Sequence, residues 1–336
     1  MTAAGFDRTR PLILLIMAAG AFAGFAAWNP GFISTANLDS IAVFGVEIGM
    51  IALGQTFVIC GGDAGIDLSV GSIAALSQVV LGLLLAMHIA WPVAVAAGVI
   101  TGTVLGGINA VAITVARIPP IIATLATLFA YSGLALVLTG GINIDLTKSP
   151  QAFLAIGQSH VAGVPFQLLC LYLPMLAAFI YTQHATRFGR ALYLAGANTL
   201  AADLAGLRVA RLRATAYVVT GLVSGIAGII DAAWLGTARP DAAADANLIS
   251  IAIVVLGGTG IFGGTGSVIG TALASIVIAI IDYGLSYSNF NPIYQAGVIG
   301  IALIATILIE NTVETIRASR QAARTSALPL LMPSNE

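Results

Sequence analysis

The sequence predicts an all-α membrane protein, a polytopic bundle of about ten transmembrane helices. Three observations carry that expectation. Of 336 residues, 59% are hydrophobic and only 8% charged, where an ordinary soluble domain has about a quarter charged. The apolar residues fall in long runs, and a hydrocarbon core of about 30 Å needs about 20 such residues per helix. The basic residues gather between alternate runs. The 38 glycines suit helices that approach closely in lipid.

The runs can be placed in order near 12–28, 40–60, 68–88, 91–115, 119–140, 164–184, 213–236, 247–264, 266–286 and 292–313. The first ends on Trp28-Asn29-Pro30 instead of a small-residue cleavage pattern, so a retained anchor is expected. The third follows a glycine-rich turn. Trp91-Pro92, Pro119-Pro120, Pro165 and Pro292 open four of the others. Proline fits the first turn of a helix and discourages helix in the residue before it. Together these runs make a single transmembrane domain over 1–336, with tails 1–11 and 314–336 and a long polar loop at 185–212.

Charge sets the expected orientation, because short cytoplasmic loops collect Lys and Arg. With ten spans both termini lie on one side. Eleven of the 13 basic residues, Arg8, Arg10, Arg117, Arg187, Arg190, Arg208, Arg211, Arg213, Arg317, Arg320 and Arg324, then fall on that side, taken as cytoplasmic. Lys148 and Arg239 do not. Trp28, Trp91 and Trp234 fall at the opposite ends of their spans, where an interfacial ring belongs. An outer loop at 141–163, with Asp145, Lys148 and His160, is a surface for a partner on that side. The expected location is a membrane crossed many times, with both termini on its cytoplasmic side.

Several function classes are excluded or disfavoured. A formal net charge of −1 gives no basic field for nucleic acid. Lys148 is the sole lysine, so a phosphate-gripping GxxxxGK[ST] loop is impossible and ATP chemistry must reside in another chain. His88, His160 and His184 lack metal-ligand spacing, and Cys60 and Cys170 form no disulfide framework. No enzyme, metal site or cofactor is expected. Gly258-Thr259-Gly260-Ile261-Phe262-Gly263 matches GxGxxG, and Asp282 follows, but a dinucleotide fingerprint needs a βαβ unit and these glycines join two apolar helices.

The segment Gly61 to Ser72 frees the backbone to turn, with Gly65, Asp67, Ser69, Gly71 and Ser72 as its structural residues. Asp67 and Ser69 are expected to cap the next helix. A looser echo around Gly257, Gly258, Gly263 and Gly264 suggests an internal duplication, against which stands its parity, since both copies face the same side. Small-residue pairs at Gly20/Gly24, Gly45/Gly49, Gly102/Gly106, Gly221/Gly225 and Gly266/Gly270 predict tight helix packing. Polar residues inside spans are costly and call for a partner or a pathway. Glu47, Gln55, Asn109, Thr124 and Asp282 are such residues, with Asp231 near an outer end. Glu47, Gln55 and Asn109 have the hydrogen-bonding chemistry to line a path for a neutral polyol; interhelical bonding is the alternative for each. Asp231 and Asp282 read as interface anchors. In the inner loop, 199–205 forms a short helix with a Thr cap and a glycine stop, suited either to docking a soluble partner or to lying on lipid headgroups.

The strings GIDLSVGS (65–72), GINAVAITVARIPPIIATLATLFAYSGLALVLTGG (107–141), RFGRALYLAGANTLAADLAGLRV (187–209) and VVLGGTGIFGGTGSVIGTALAS (254–275) resemble, in order, the membrane permeases of bacterial ATP-binding-cassette sugar importers of the ribose/xylose/arabinose type. The resemblance implies a permease dimer, homodimeric or paired with a homologous permease. It also implies a periplasmic sugar-binding protein outside and a separate ATPase subunit inside. It implies further that Leu200, Ala201, Ala202, Asp203, Leu204, Ala205 and Gly206 form the helix that docks into that ATPase. Leu200 stands where many importers have glutamate, Asp63 and Ala64 lengthen the family's GGIDLSVGS turn, and Asn247 to Ala252 lacks an acidic residue common there. The rival readings are an ion-gradient-driven secondary transporter with Glu47 or Asp282 as proton carrier, and a non-transporting membrane scaffold.

Overall fold

A computed structural model describes residues 9–291, 297, 300 and 301. The chain divides into two units, 1–288 and 289–336. The tenth expected span, 292–313, falls in the second unit, where residues 297, 300 and 301 are helical. The rest of that span, the tail 314–336 and Arg8 lie outside the described residues.

The described residues of the first unit are mostly helical. Its helices are α1 (Thr9–Trp28), α2 (Thr35–Cys60), α3 (Val70–Ala86), α4 (Trp91–Thr114), α5 (Pro120–Thr139), α6 (Gln151–Gln158), α7 (Leu173–Ala185, continuing a π-helical turn at Gln167–Tyr172), α8 (Arg187–Ala197), α9 (Thr199–Leu204), α10 (Val209–Leu235), α11 (Ala246–Leu256) and α12 (Val268–Tyr287). Among the described residues the only strands are two-residue pieces, Ile144–Asp145 against Thr237–Ala238 and His160–Val161 against Val164–Pro165. Seven of the expected spans appear among the described residues as segments long and apolar enough to cross a membrane.

Two expected spans are shorter than anticipated. α3 has 17 residues and α11 has 11. The run at 247–264 stops at Leu256 because Gly257 follows and Gly258 turns back with φ +91°. The apolar residues beyond it belong to a glycine-rich loop. The long polar loop also holds more structure than expected: Thr186 caps α8 by accepting the Gly189 N–H at 3.1 Å.

Helix directions place Trp28, Trp91 and Trp234 at one end of the bundle and Arg10, Arg117, Arg187, Arg190, Arg208, Arg211 and Arg213 at the other, as the charge pattern predicts. α2 and α10 cross antiparallel at the centre, Gly54 meeting Thr220 and the Gly61 carbonyl meeting Arg213. α4 lies along α10, where Gly102 and Gly106 face Gly221 and Gly225 backbone to backbone. α12 lies along α2, with Thr56 Oγ1 and Thr271 Oγ1 2.8 Å apart. Of the expected small-residue pairs, Gly20/Gly24 on α1 meets nothing within 4 Å in this chain.

The duplication is not the one suggested by the glycine echo. α2 runs 26 residues, breaks at 61–69 and restarts as short α3; α10 runs 27 residues in the opposite direction, breaks at 236–245 and restarts as short α11. α10 packs on α3 and α4 as α2 packs on α11 and α12. The counterpart of 61–69 is therefore 236–245, and the loop at 257–267 instead meets 61–65 at the arginine-rich end.

A Cβ at Gly221 would overlap the Gly102 carbonyl and the Gly106 backbone, whereas one at Gly24 has open space. Gly221→Val is expected to destabilise the bundle by at least about 1–3 kcal/mol, the usual cost of overpacking, and Gly24→Ala by far less. Melting temperatures of the two purified variants in one detergent check this.

Candidate functional site

Irregular backbone at membrane depth survives only where protein satisfies its polar groups. The break at 61–69 meets that demand with its own side chains and with side chains from the helices around it. Asp67 Oδ1 accepts the Ser69 N–H at 2.8 Å and the Ser69 hydroxyl at 2.6 Å. Asn109 Nδ2 from α4 donates to Ser69 Oγ at 2.7 Å and to Asp67 Oδ2 at 3.3 Å. Gln55 Nε2 from α2 donates to the Asp67 carbonyl at 3.3 Å, and Thr124 Oγ1 from α5 to the Ile66 carbonyl at 3.2 Å. Tyr131 donates to Asn109 Oδ1 at 3.3 Å, which fixes the amide's orientation. Ser72 Oγ closes the turn on the Ser69 carbonyl at 2.8 Å.

Of the residues expected to line a path, Gln55 and Asn109 thus come together around Asp67, both fully enclosed. The capping differs from expectation. Asp67 holds Ser69, but the Ser69 hydroxyl caps nothing, being occupied by Asp67 and Asn109. The amide of Gly71 is taken instead by Asn247 Oδ1 at 2.7 Å, from the first turn of α11. A Cβ on Gly71 would strike the Ala243 carbonyl, so the two breaks meet here.

Glu47 stands apart, partly exposed on α2. Asp231 is not the interfacial anchor expected: it is 2% exposed. Its Oδ2 accepts from Arg239 Nη2 at 3.2 Å and Gln78 Nε2 at 3.4 Å, while Gln78 Oε1 accepts the Arg239 backbone N–H at 3.1 Å. Among the described residues, nothing accepts a hydrogen bond from the buried Arg239 Nε. This polar group joins α3, α10 and the second break. Its sequence signal is Arg239 itself, a cation on the arginine-poor side, eight residues after an intramembrane acid.

At the arginine-rich end, α9 follows α8 after a one-residue corner. Asn198, not Thr199, caps it, accepting the Ala201 N–H at 2.9 Å; Thr199 Oγ1 reaches back to the Ala195 carbonyl at 3.1 Å. Asparagine directly before a helix is as good a cap as threonine. Gly206 stops the helix with φ +82°. Ala202 packs inward with Ala195 and Val209, while Leu200 and Leu204 are 70% and 81% exposed. Ala201, Asp203 and Ala205 are exposed beside them.

Three segments interlock behind α9. Gly62, at φ +76°, lies against Gly263; Gly196 lies against the Cys60 carbonyl; and Gly264 lies against Ala197 while donating its N–H to the Cys60 carbonyl at 3.1 Å. Gln183 Nε2 donates to the Gly266 carbonyl at 3.0 Å, and its Oε1 accepts the Val268 N–H at 3.0 Å. Burial pushes the Tyr193 phenol above its ordinary range, so its hydroxyl stays a donor to the Gly266 carbonyl at 3.3 Å. Gly257 backs onto Gly270 and Thr271, and the Gly258 carbonyl accepts from Arg10 Nη1 at 2.8 Å. Gly65 sits against the Val58 carbonyl.

At the tryptophan end, α6 packs on α10 and a hollow of about 210 Å³ opens among Asp39, Gln158, His160 and Trp234. His160 Nε2 lies 3.2 Å from Asp39 Oδ2. Among the described residues no cluster of three or more His, Cys, Asp or Glu could hold a metal ion.

Residues 37–307 match the family described as "Branched-chain amino acid transport system / permease component". The chain is 33% identical to the ribose import permease protein RbsC of Escherichia coli (strain K12) over 285 residues, 84% of this chain and 88% of that protein. It is 36% identical to RbsC of Bacillus subtilis (strain 168) over 282 residues, 84% and 87% of the two chains. It is 32% identical to the autoinducer 2 import system permease protein LsrD of Escherichia coli (strain SMS-3-5) over 288 residues, 84% and 86% of the two chains. No solved structure gives a significant match.

Asn247→Ala leaves the buried Gly71 amide without an acceptor. It is expected to cost about 1–3 kcal/mol, the penalty of an unsatisfied buried donor, and Asn247→Asp to cost less because an acceptor remains. Thermal unfolding of the purified variants reads the difference.

Proposed function

The chain belongs to this family of transport permeases, and we propose on that premise that it is the transmembrane subunit of an ATP-binding-cassette importer for a monosaccharide or related polyol. Two relatives are named for ribose import and one for autoinducer 2 import, which supports a small hydroxylated solute. The observation that carries the mechanism is α9: a capped two-turn helix that turns Leu200 and Leu204 outward at the arginine-rich end. Two bare leucines beside arginines suit an apolar pocket in a soluble partner. The sole lysine, Lys148, provides no phosphate loop, so that partner is the ATPase subunit.

The arginine-rich end faces the cytoplasm and both termini lie there. A periplasmic binding protein delivers solute to the tryptophan end, and two permeases pair, identical or homologous. Glu47, partly exposed on α2, offers the path hydrogen-bonding oxygens for a hydroxylated solute. Gln55 and Asn109, enclosed around Asp67, act by holding the wall in place. Binding-protein docking and ATP shift the bundle between two packings, each ligand by its differential affinity for them.

Vesicles containing the chain, its ATPase and its binding protein are expected to take up labelled sugar with the proton gradient collapsed and to stop when ATP is withheld. Uptake that follows the gradient instead selects a secondary transporter. Leu204→Arg is expected to abolish co-purification of the ATPase without lowering the melting temperature of the permease. Glu47→Ala is expected to slow uptake about tenfold with the complex intact, the equivalent of one hydrogen bond of about 1.4 kcal/mol. Unchanged uptake removes Glu47 from the path.

A further inference from the structure

We propose that Arg213 is the positioning residue that ties the ATPase-contacting helix α9 to the broken helix at 61–69, with Asp63 as its anchor; this rests on the reading of α9 as the ATPase contact. Arg213 lies in the first turns of α10, and its guanidinium touches three elements at once. Nε donates to the Gly61 carbonyl at 3.0 Å, at the end of α2. Nη1 donates to Asp63 Oδ2 at 2.9 Å, in the turn. Nη2 donates to Thr199 Oγ1 at 2.9 Å, in the first residue of α9. The Arg213 side chain is 14% exposed, that of Asp63 68%.

α8 also touches the end of α2, through Leu192 against Gly61 and Tyr193 near Cys60, but not with a fixed multi-point fork. Gly196 against the Cys60 carbonyl is a backbone approach that holds distance but not direction. Gln183 and Tyr193 bind Gly266 and Val268, on the other glycine loop. A guanidinium, in contrast, is a rigid planar fork whose donors keep fixed angles. If α9 shifts relative to α2, either a bond in this fork breaks or the turn at 61–63 moves with it. That turn is continuous with Asp67 and Ser69, which seat the start of α3.

Asp63 strengthens the assignment. It belongs to the two residues that lengthen the turn, and it sits at φ +60°, a left-handed conformation uncommon outside glycine. The side chain held there is aimed at Arg213. The lengthened turn thus acts as a handle on the broken helix, gripped from the base of α10.

The test uses the full complex of permease and ATPase in nanodiscs, with hydrogen–deuterium exchange followed with and without ATP plus vanadate. In the wild type, nucleotide is expected to change amide exchange at both 199–206 and 61–69. In Arg213→Ala the change at 199–206 remains, while that at 61–69 falls by about fivefold or more, the lower range of an allosteric coupling. Asp63→Asn, at an exposed side chain, is expected to weaken the response at 61–69 in the same direction, and Arg213→Lys to restore part of what alanine removes. Wild-type responses at 61–69 in both Arg213→Ala and Asp63→Asn overturn the proposal; if Arg213→Ala does not assemble, Asp63→Asn decides. A wild-type complex with no nucleotide response at 199–206 overturns the underlying reading of α9, a result distinct from an intact response there that fails to depend on Arg213.

Discussion

In lipid, each backbone amide and carbonyl must find its partner within the protein, and this chain interrupts two central helices where that demand is hardest to meet. Much of the interior is built around the interruptions. The first is filled by Asp67, Ser69, Asn109, Gln55 and Thr124, contributed by the break itself and by α2, α4 and α5. The second is tied to α3 by Gln78 and to the first by Asn247. Removing one member leaves a buried group exposed to hydrocarbon-like surroundings, so the network favours one arrangement over loosely packed alternatives. Irregular backbone kept at this cost suits a permease, which needs more than a static bundle.

The glycines solve a separate problem. At the α4–α10 crossing they bring two helices close enough for backbone contact, a packing gain that does not depend on expelling water. At the arginine-rich end they let three loops interlock with almost no side chain between them. A joint made of backbone transmits displacement with little slack, because no rotamer can absorb it. Side chains with directional bonds, Gln183, Tyr193 and Arg213, then determine which loop follows which.

Much of this was legible in the residues. Hydropathy located seven full-length spans among the described residues, and the charge and tryptophan distribution sorted the two ends correctly, because both respond to the bilayer alone. The short helix α9 is legible from its glycine stop; its cap lies one residue earlier than the sequence suggests because Asn198 and Thr199 are both good caps. What stayed hidden depends on contacts distant in sequence. Nothing near Gly71 announces that Asn247, 176 positions away, will satisfy its amide. Asp231 looked like an anchor because its height in the span is visible in sequence and its neighbour Gln78 is not. The inverted repeat was obscured for a related reason: its two breaks share a role but not a composition, GGDAGIDLS in one and GTARPDAAAD in the other.

That difference in composition follows from what each break faces. The first lies beside the arginine-rich end and the loop at 257–267, so it needs close backbone approach and a handle that a neighbouring cation can hold; glycine and Asp63 supply these. The second descends from the tryptophan end past Asp231, where its own Arg239 neutralises buried acid. The two breaks lie toward opposite ends of the bundle, and the antiparallel crossing of α2 and α10 joins those ends. A ligand at either end then shifts the same equilibrium, and does so only by the difference in its affinity for the two packings.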